Sequence, residues 1–405
     1  MGLREPEGNK VIGDVSSTAS RLGLGNYFPG NNGIGSQPPS TNTLSVYIQR
    51  LYWSMPIFDI VDVTQNLVQM PSNLPARRYA LLLAIKAAAH AHSSLLRDYG
   101  DECNHQLLTE AIRASKKYDV VEEEDNYSLE GMLASFFLFI ACWNLDRVTS
   151  AWWYLRQSIG LALARRLNQE AEYQSFTVQE GERKRRIFWT LLIAERTFCL
   201  MHDKPVVLQA DIILPCSPSR AHGEVAALVC SATLFQRLLF DTSGSWTATG
   251  FVTPVTLKEY GNDTTLSPSS QSLSHLPVIQ RIDHLVTMNW LRAKVWELGS
   301  AQPRPSSGFI ASNENAPWRL EQPLVIGSHV VEILQSSVDV LTLALTPVLD
   351  RKLHAICACV FDILPPMQRI RPGVCEAVLR GLWDLLCKVN LGGRTADFLF
   401  AKLKA

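Results

Sequence analysis

From Leu44 onward, apolar residues recur at spacings of three and four along most of the chain. That period stacks side chains on one face of an α-helix, whereas a half-buried strand alternates at every second residue. The pattern predicts helices over 44–54, 76–97, 102–117, 128–144, 150–168, 181–201, 224–241, 276–299, 323–346, 350–363, 373–390 and 394–403. Two stretches interrupt it: Ser243–Ser274, rich in Thr, Ser and Gly, and Ala301–Gln322, which carries Pro303, Pro305 and Pro317. Strand-like alternation is rare, and there is no strand–helix–strand rhythm and no internal repeat. The expected fold is therefore all-α, a single large multi-helix array over 44–405. Residues 1–43, with the Gly-, Asn- and Pro-rich run from Gly30 to Ser40, read as a flexible arm.

The helix predicted over 181–201 contains one departure from clean amphipathicity. At about 100° per residue, Ile187, Leu191, Ala194 and Phe198 form a stripe that Phe188 and Leu192 widen. Glu195 falls in the middle of this apolar face. A carboxylate there must be paired or hydrogen-bonded, because an unpaired buried charge is very costly. The expectation is a buried salt bridge from Glu195 to an arginine of another helix, with Arg156, Arg165 and Arg292 as candidates. The same helix opens with Arg183-Lys184-Arg185-Arg186 and runs straight into Ile187-Phe188-Trp189. Half of that basic run must face neighbouring helices. Structural ion pairing, with Glu182 and Arg186 as an i,i+4 pair, is the favoured reading; a nuclear-transport signal or a phosphate contact is the alternative.

Composition narrows the function classes. Of 405 residues, 47% are hydrophobic and 19% charged, which describes a packed protein with a substantial core. Lys+Arg and Asp+Glu both total 38, so the basic excess expected of a phosphate-binding surface is missing. Direct, sequence-specific DNA binding is not expected. The longest apolar run, Phe136–Trp143, is far short of the roughly 20 residues needed to cross a bilayer, so no membrane contact is expected. The start, Met1-Gly2-Leu3-Arg4-Glu5, has no apolar signal core. The nine cysteines lie scattered through predicted helices, as reduced core thiols do. The sequons at Asn126 and Asn262 are not expected to be used.

No chemistry-bearing constellation stands out. Cys357 and Cys359, like His90 and His92, are two residues apart, so on a helix they point to different faces and make a poor half-site for a metal. There is no Gly-x-Ser-x-Gly elbow and no phosphate-binding glycine loop. The reading is no catalytic residue, no cofactor and no metal. Glu122-Glu123-Glu124-Asp125 reads as a solvated loop before the next helix.

The order of several motifs resembles the regulatory, or middle homology, domain of fungal zinc-cluster transcription factors, most of all the maltose- and starch-utilisation activators. Tyr47–Asp59 looks like the entry helix and its Pro-Ile-x-Asp turn. The Arg-Arg-x-Phe-Trp core at Arg185, Arg186, Phe188 and Trp189 is the most specific element, followed by Glu195-Arg196, Asp203-Lys204-Pro205 and Ala210–Pro215. Met288–Leu298 and Gln322–Ile326 are similar to the family's C-terminal half. Where the family often has Asp-Arg, this chain has Glu195-Arg196; where it often has Gly-Arg-Pro, this chain has Asp203-Lys204-Pro205. Such proteins normally open with a six-cysteine DNA-binding zinc cluster, but the first cysteine here is Cys103.

The resemblance implies a nuclear, pathway- or gene-cluster-specific transcriptional regulator that works through its helical domain. Its partners would be a DNA-binding regulator, the transcription machinery or a second copy of itself. Arg185, Arg186, Phe188, Trp189, Glu195 and Arg196 would form the structural motif. One alternative is that an upstream exon encodes the zinc cluster. The other is a helical enzyme of secondary metabolism acting on terpenoid-like substrates, which would require an aspartate-rich metal motif on facing helices.

Overall fold

Leu129–Asn144 is the most apolar of the described helices, and every residue from Met132 to Asn144 is buried. A helix apolar on all sides belongs at the centre of a helical assembly. The computed structural model describes residues 51–52, 54–58, 75–93, 101–119, 128–209, 211–216, 223–237, 273, 276–300, 321–337, 346–370, 372–389 and 401. Within these, α1 is Ala76–Ser93, α2 Asp101–Asp119, α3 Leu129–Asn144, α4 Val148–Ala164, α5 Val178–His202, α6 Gly223–Arg237, α7 Val278–Ser300, α8 Gln322–Gln335, α9 Pro347–Ile370 and α10 Pro372–Val389. A 3₁₀ turn, Glu170–Ser175, lies between α4 and α5. No strand occurs among the described residues; one isolated parallel bridge joins Gln169 to Asp211. The all-α expectation holds.

The central helix α3 packs against α1, α4 and α2. Ser158 of α4 donates its hydroxyl to the Met132 carbonyl of α3 at 3.0 Å, satisfying both groups in the interior. In the C-terminal half, α7 packs on α8 and α9, and α10 covers α8 and α9. The α8–α10 crossing is close: a Cβ at Gly381 would collide with the Val331 side chain, and one at Gly327 would press on Val360 and Val378. Between the halves, α6 contacts both α5 and α7. Arg351 of α9 reaches the end of α3, donating to the Trp143 carbonyl and to Asp146 Oδ1. Its guanidinium lies 5.2 Å from the centroid of the Trp143 ring. One continuous apolar cluster runs from Leu51 to Leu382.

Several helices differ from the periodicity-based reading: the one expected over 323–346 ends at Gln335, and the one expected over 150–168 runs from Val148 to Ala164. The segment expected over 350–363 extends from Pro347 to Ile370 and continues through Pro365 and Pro366. Each proline removes a backbone donor, a cost local signals overweight when the flanking turns are packed. Burial of Ile363, Leu364 and Met367 on the same face carries the helix across them. The helix α5 starts at Val178 rather than 181 because Thr177 caps it, its hydroxyl accepting the Glu180 N–H at 3.3 Å. The expected arm over 1–43, the acidic run Glu122–Asp125 and both sequons lie outside the described residues, as does most of the predicted 44–54 and 394–403 helices.

Candidate functional site

Four motif residues of α5, Arg185, Trp189, Glu195 and Arg196, take part in holding the chain that follows α5 against that helix. At His202 the helix ends with Asp203 in the left-handed region, φ 49°, and the Lys204 N–H returns to the Cys199 carbonyl. Most residues with a side chain are strained there, Asp and Asn less than others. The chain then runs back along α5. Cys199 Sγ faces the Pro205 carbonyl at 3.5 Å, Glu195 and Arg196 grip Val207 and Leu208, Trp189 reaches Ile213, and Glu182 reaches Cys216. From 182 to 199 the helix rises about 25 Å. The residues from 205 to 216 span at most about 40 Å when extended, so the chain can cover that length with some slack.

Glu195 is fully buried, and its carboxylate receives three backbone contacts. Val207 N donates to Oε1 at 2.7 Å, and Leu208 N donates to Oε2 at 3.0 Å and to Oε1 at 3.3 Å. This replaces the expected interhelical salt bridge. Among the described residues Glu195 is in no ion pair, and Arg156 lies over the Trp152 ring at 5.3 Å from its centroid. The neighbouring Arg196, also buried, donates to the Leu208 carbonyl, so both main-chain groups of Leu208 are held by adjacent side chains of α5. Burial pushes the Glu195 carboxyl above its ordinary range, while Arg196, the amide donors and, least, the charge of Arg156 pull it back. Burial also lowers the Arg196 guanidinium, opposed by Glu195. Both carboxylate oxygens are engaged by amides, so Glu195 is placed to hold main chain rather than to exchange protons with a substrate.

At the far end of the segment the fastening is ionic. Glu170 Oε2 accepts the Ile213 N–H at 3.0 Å, and Glu182 Oε2 accepts the Cys216 N–H at 2.7 Å. Arg185 joins the two carboxylates, with NH2 on Glu170 and NH1 on Glu182 at 2.7 Å, and sits 4.6 Å from the Tyr173 ring centroid. Glu182 therefore pairs with Arg185 at i,i+3 and not with Arg186 as the spacing suggested. Arg186 is half-buried. The rest of the basic run is also occupied: Lys184 pairs with Glu180 at 2.7 Å and lies over the Phe176 ring, and Arg183 lies 5.7 Å from the Phe58 ring centroid. Arg183, Lys184 and Arg185 are thus each engaged by a carboxylate or an aromatic ring.

Phe188 and Trp189 are both fully buried, their rings at 84° and 6.2 Å apart, and Trp189 Nε1 donates to the Ile213 carbonyl at 3.0 Å. Glu170 is the participant that pattern reading missed. It precedes Arg185 by 15 residues on the 3₁₀ turn, and no periodicity links the two. The isolated cysteine and histidine pairs stay apart from this arrangement. Cys357 and Cys359 are buried in α9, and the Cys357 thiol is pushed up to about 12 by burial. Among the described residues no group of three or more His, Cys, Asp or Glu side chains is placed to hold a metal, and no helix is long and apolar enough to cross a membrane.

Residues 44–221, which include the whole of α5 and its return segment, match the family described as the fungal specific transcription factor domain. Over 201 residues the chain is 28% identical to a Candida albicans protein described as a probable sucrose utilization protein, covering 45% of this chain and 39% of the relative. It is 24% identical over 169 residues to an uncharacterized transcriptional regulatory protein of Schizosaccharomyces pombe, covering 40% and 20% of the two chains. It is 20% identical over 231 residues to a maltose fermentation regulatory protein of Saccharomyces cerevisiae, covering 56% and 47%. The matched stretch is thus less than half the length of each of these relatives. No solved structure matches the chain.

Proposed function

We propose that this chain, whose residues 44–221 are a fungal specific transcription factor domain, is a transcriptional regulator that acts through protein contacts of its helical array. The observation that carries the proposal is the coincidence of the family match with the α5 motif. Arg185, Trp189, Glu195 and Arg196 all engage the segment after α5 or its clasp, which supports a role in the architecture of that domain. Two of the three relatives are named as regulatory proteins, which supports regulation rather than catalysis. The equal counts of basic and acidic residues support recruitment to genes by a DNA-binding partner over direct reading of DNA. A nuclear location and a pathway-specific gene set belong to the same proposal. The relatives named for sucrose utilization and maltose fermentation make sugar-responsive genes the first to test.

The experiment is to tether the chain to an unrelated DNA-binding domain in a fungal host and measure a reporter under that domain's sites, with glucose, sucrose or maltose as carbon source. Activation or repression that depends on the chain supports the regulatory reading. A reporter indifferent to the tethered, folded chain on every carbon source overturns it. A mobility-shift titration of the untethered chain at physiological salt addresses recruitment: tight, sequence-dependent binding to duplex DNA would replace the partner with direct contact.

A further inference from the structure

The return segment is fastened in two different ways along its length. Its inner part, Pro205–Leu208, is held by groups removed from water: Glu195 and Leu208 are fully buried and Arg196 nearly so. Its outer part, Asp211–Cys216, is held by a clasp only partly removed from water, the Arg185 and Glu182 side chains being 13% exposed and Glu170 more so. Ile213 is 55% exposed, the Glu170 side chain is 37% exposed, and Cys216 is exposed. Of the outer part Ile212 and Pro215 are buried, and of the inner part Leu208, so the two differ in what fastens them rather than in their own burial. Its main-chain bonds go to two carboxylates cross-linked by Arg185 and to the Trp189 indole.

We propose that Asp211–Cys216 is a releasable strap that opens and closes as a unit while the Glu195–Arg196 anchor stays shut, with Glu170, Arg185 and Glu182 as its clasp. A partly exposed ionic fastening is screened by salt and weakened by loss of charge, whereas the buried anchor is insulated from both. Segments with few buried apolar groups and solvent-exposed main-chain bonds are where local opening occurs below the global unfolding energy. The consequence lies in the next helix. With the strap closed, six residues lie between Cys216 and the start of α6 at Gly223; with the strap open, fourteen lie between Gly223 and Leu208, the last residue of the buried anchor. At up to about 3.5 Å per residue the longer tether more than doubles the reach available to α6, which packs between α5 and α7. Opening the strap therefore lengthens the chain between the buried anchor and α6.

Amide hydrogen exchange of the full chain tests this directly, because the four relevant N–H groups sit on known acceptors. In wild type, raising salt from low ionic strength to about 1 M, where screening acts over about 3 Å, should speed exchange at Ile213 and Cys216 while Val207 and Leu208 hold. In Glu170→Gln/Glu182→Gln the Ile213 and Cys216 amides should exchange about tenfold faster, with Val207 and Leu208 within about twofold of wild type, and the salt response should disappear. If all four amides accelerate together, the segment is one cooperative unit and the proposal falls. It falls equally if Ile213 and Cys216 ignore both salt and substitution. The salt arm needs no variant, so misfolding of the double substitution cannot mask the result.

Discussion

Val207 donates its backbone N–H to the Glu195 carboxylate at 2.7 Å across the chain reversal that follows α5. This makes Glu195 the acceptor for main-chain donors that have no helix or strand to join, and the prediction for its removal differs from that for a salt bridge. Glu195→Ala should cost about 3–5 kcal/mol, since it orphans the half-buried Val207 amide and the buried Leu208 amide and leaves the Arg196 guanidinium without its nearest counter-charge. In a true ion pair, replacing both partners with apolar residues recovers most of the loss. Here Glu195→Met/Arg196→Met should stay strongly destabilised, because the amides and the Leu208 carbonyl remain unsatisfied. Urea denaturation of the three proteins distinguishes these outcomes, and a double variant as stable as wild type would count against the main-chain role.

Titration of the same carboxyl gives a second expectation. Burial holds the folded-state value above the ordinary glutamate range. Between the unfolded and folded values the native state binds more protons than the unfolded one, so stability falls as pH rises through that window. Glu195→Gln has no such titration and keeps an oxygen where Oε1 accepts from both amides. The stability difference, wild type minus Glu195→Gln, should therefore be largest in acid and shrink as pH rises above the normal glutamate value. A difference that grows with pH would mean the amides and Arg196 outweigh burial.

Much of this was legible in the sequence. The three-and-four spacing placed the helices, and the misfit of Glu195 on an apolar stripe marked a residue that needed a partner. The kind of partner was not legible. Side-chain charges can be read along a chain, but backbone amides are everywhere and become available only where a segment leaves regular structure, as Val207 and Leu208 do. Asp203 gave a partial signal, since a residue forced into the left-handed region reverses the chain and brings those amides back. The pairing of Arg185 with Glu170 had none, because it depends on how the 3₁₀ turn at 170–175 approaches α5. The capping pattern Thr177-x-x-Glu180 was present and marks the true start of α5.

Two helix-interior glycines should respond oppositely to the same substitution. At Gly160 on the outer face of α4 a Cβ meets nothing within 4 Å, so Gly160→Ala should stabilise by about 0.5–1 kcal/mol through helix propensity and lower unfolded-state entropy. At Gly381 the Cβ would drive into Val331 across the α8–α10 crossing, and overpacking costs about 1–3 kcal/mol, enough to exceed the same propensity gain. Thermal or urea unfolding of Gly160→Ala and Gly381→Ala should move in opposite directions from wild type. Adding Val331→Ala to Gly381→Ala should recover part of the loss by reopening the space.

His284 should make the C-terminal half acid-sensitive. It is buried in α7, and its imidazole is pushed down to about 4 chiefly by burial; Asp283 opposes the shift and Lys352 of α9 adds to it. Lys352 is itself fixed there, its Nζ donating to Thr287 and facing Asp283 at 3.4 Å. Between the ordinary histidine value of 6.5 and about 4 the unfolded chain takes up a proton that the native state refuses. Stability should therefore be full above the ordinary value and fall as pH drops through the window. The loss approaches about 1.4 kcal/mol per pH unit and about 3 kcal/mol in total from this group. His90 and His329 are shifted in the same direction, so the effect of His284 has to be read as a difference. His284→Asn has no titration in this range and should flatten the acid limb relative to wild type, even if its stability at neutral pH is lower. Parallel acid limbs for the two proteins would show that His284 takes up its proton equally well folded and unfolded, and that Lys352 is not pressing on it.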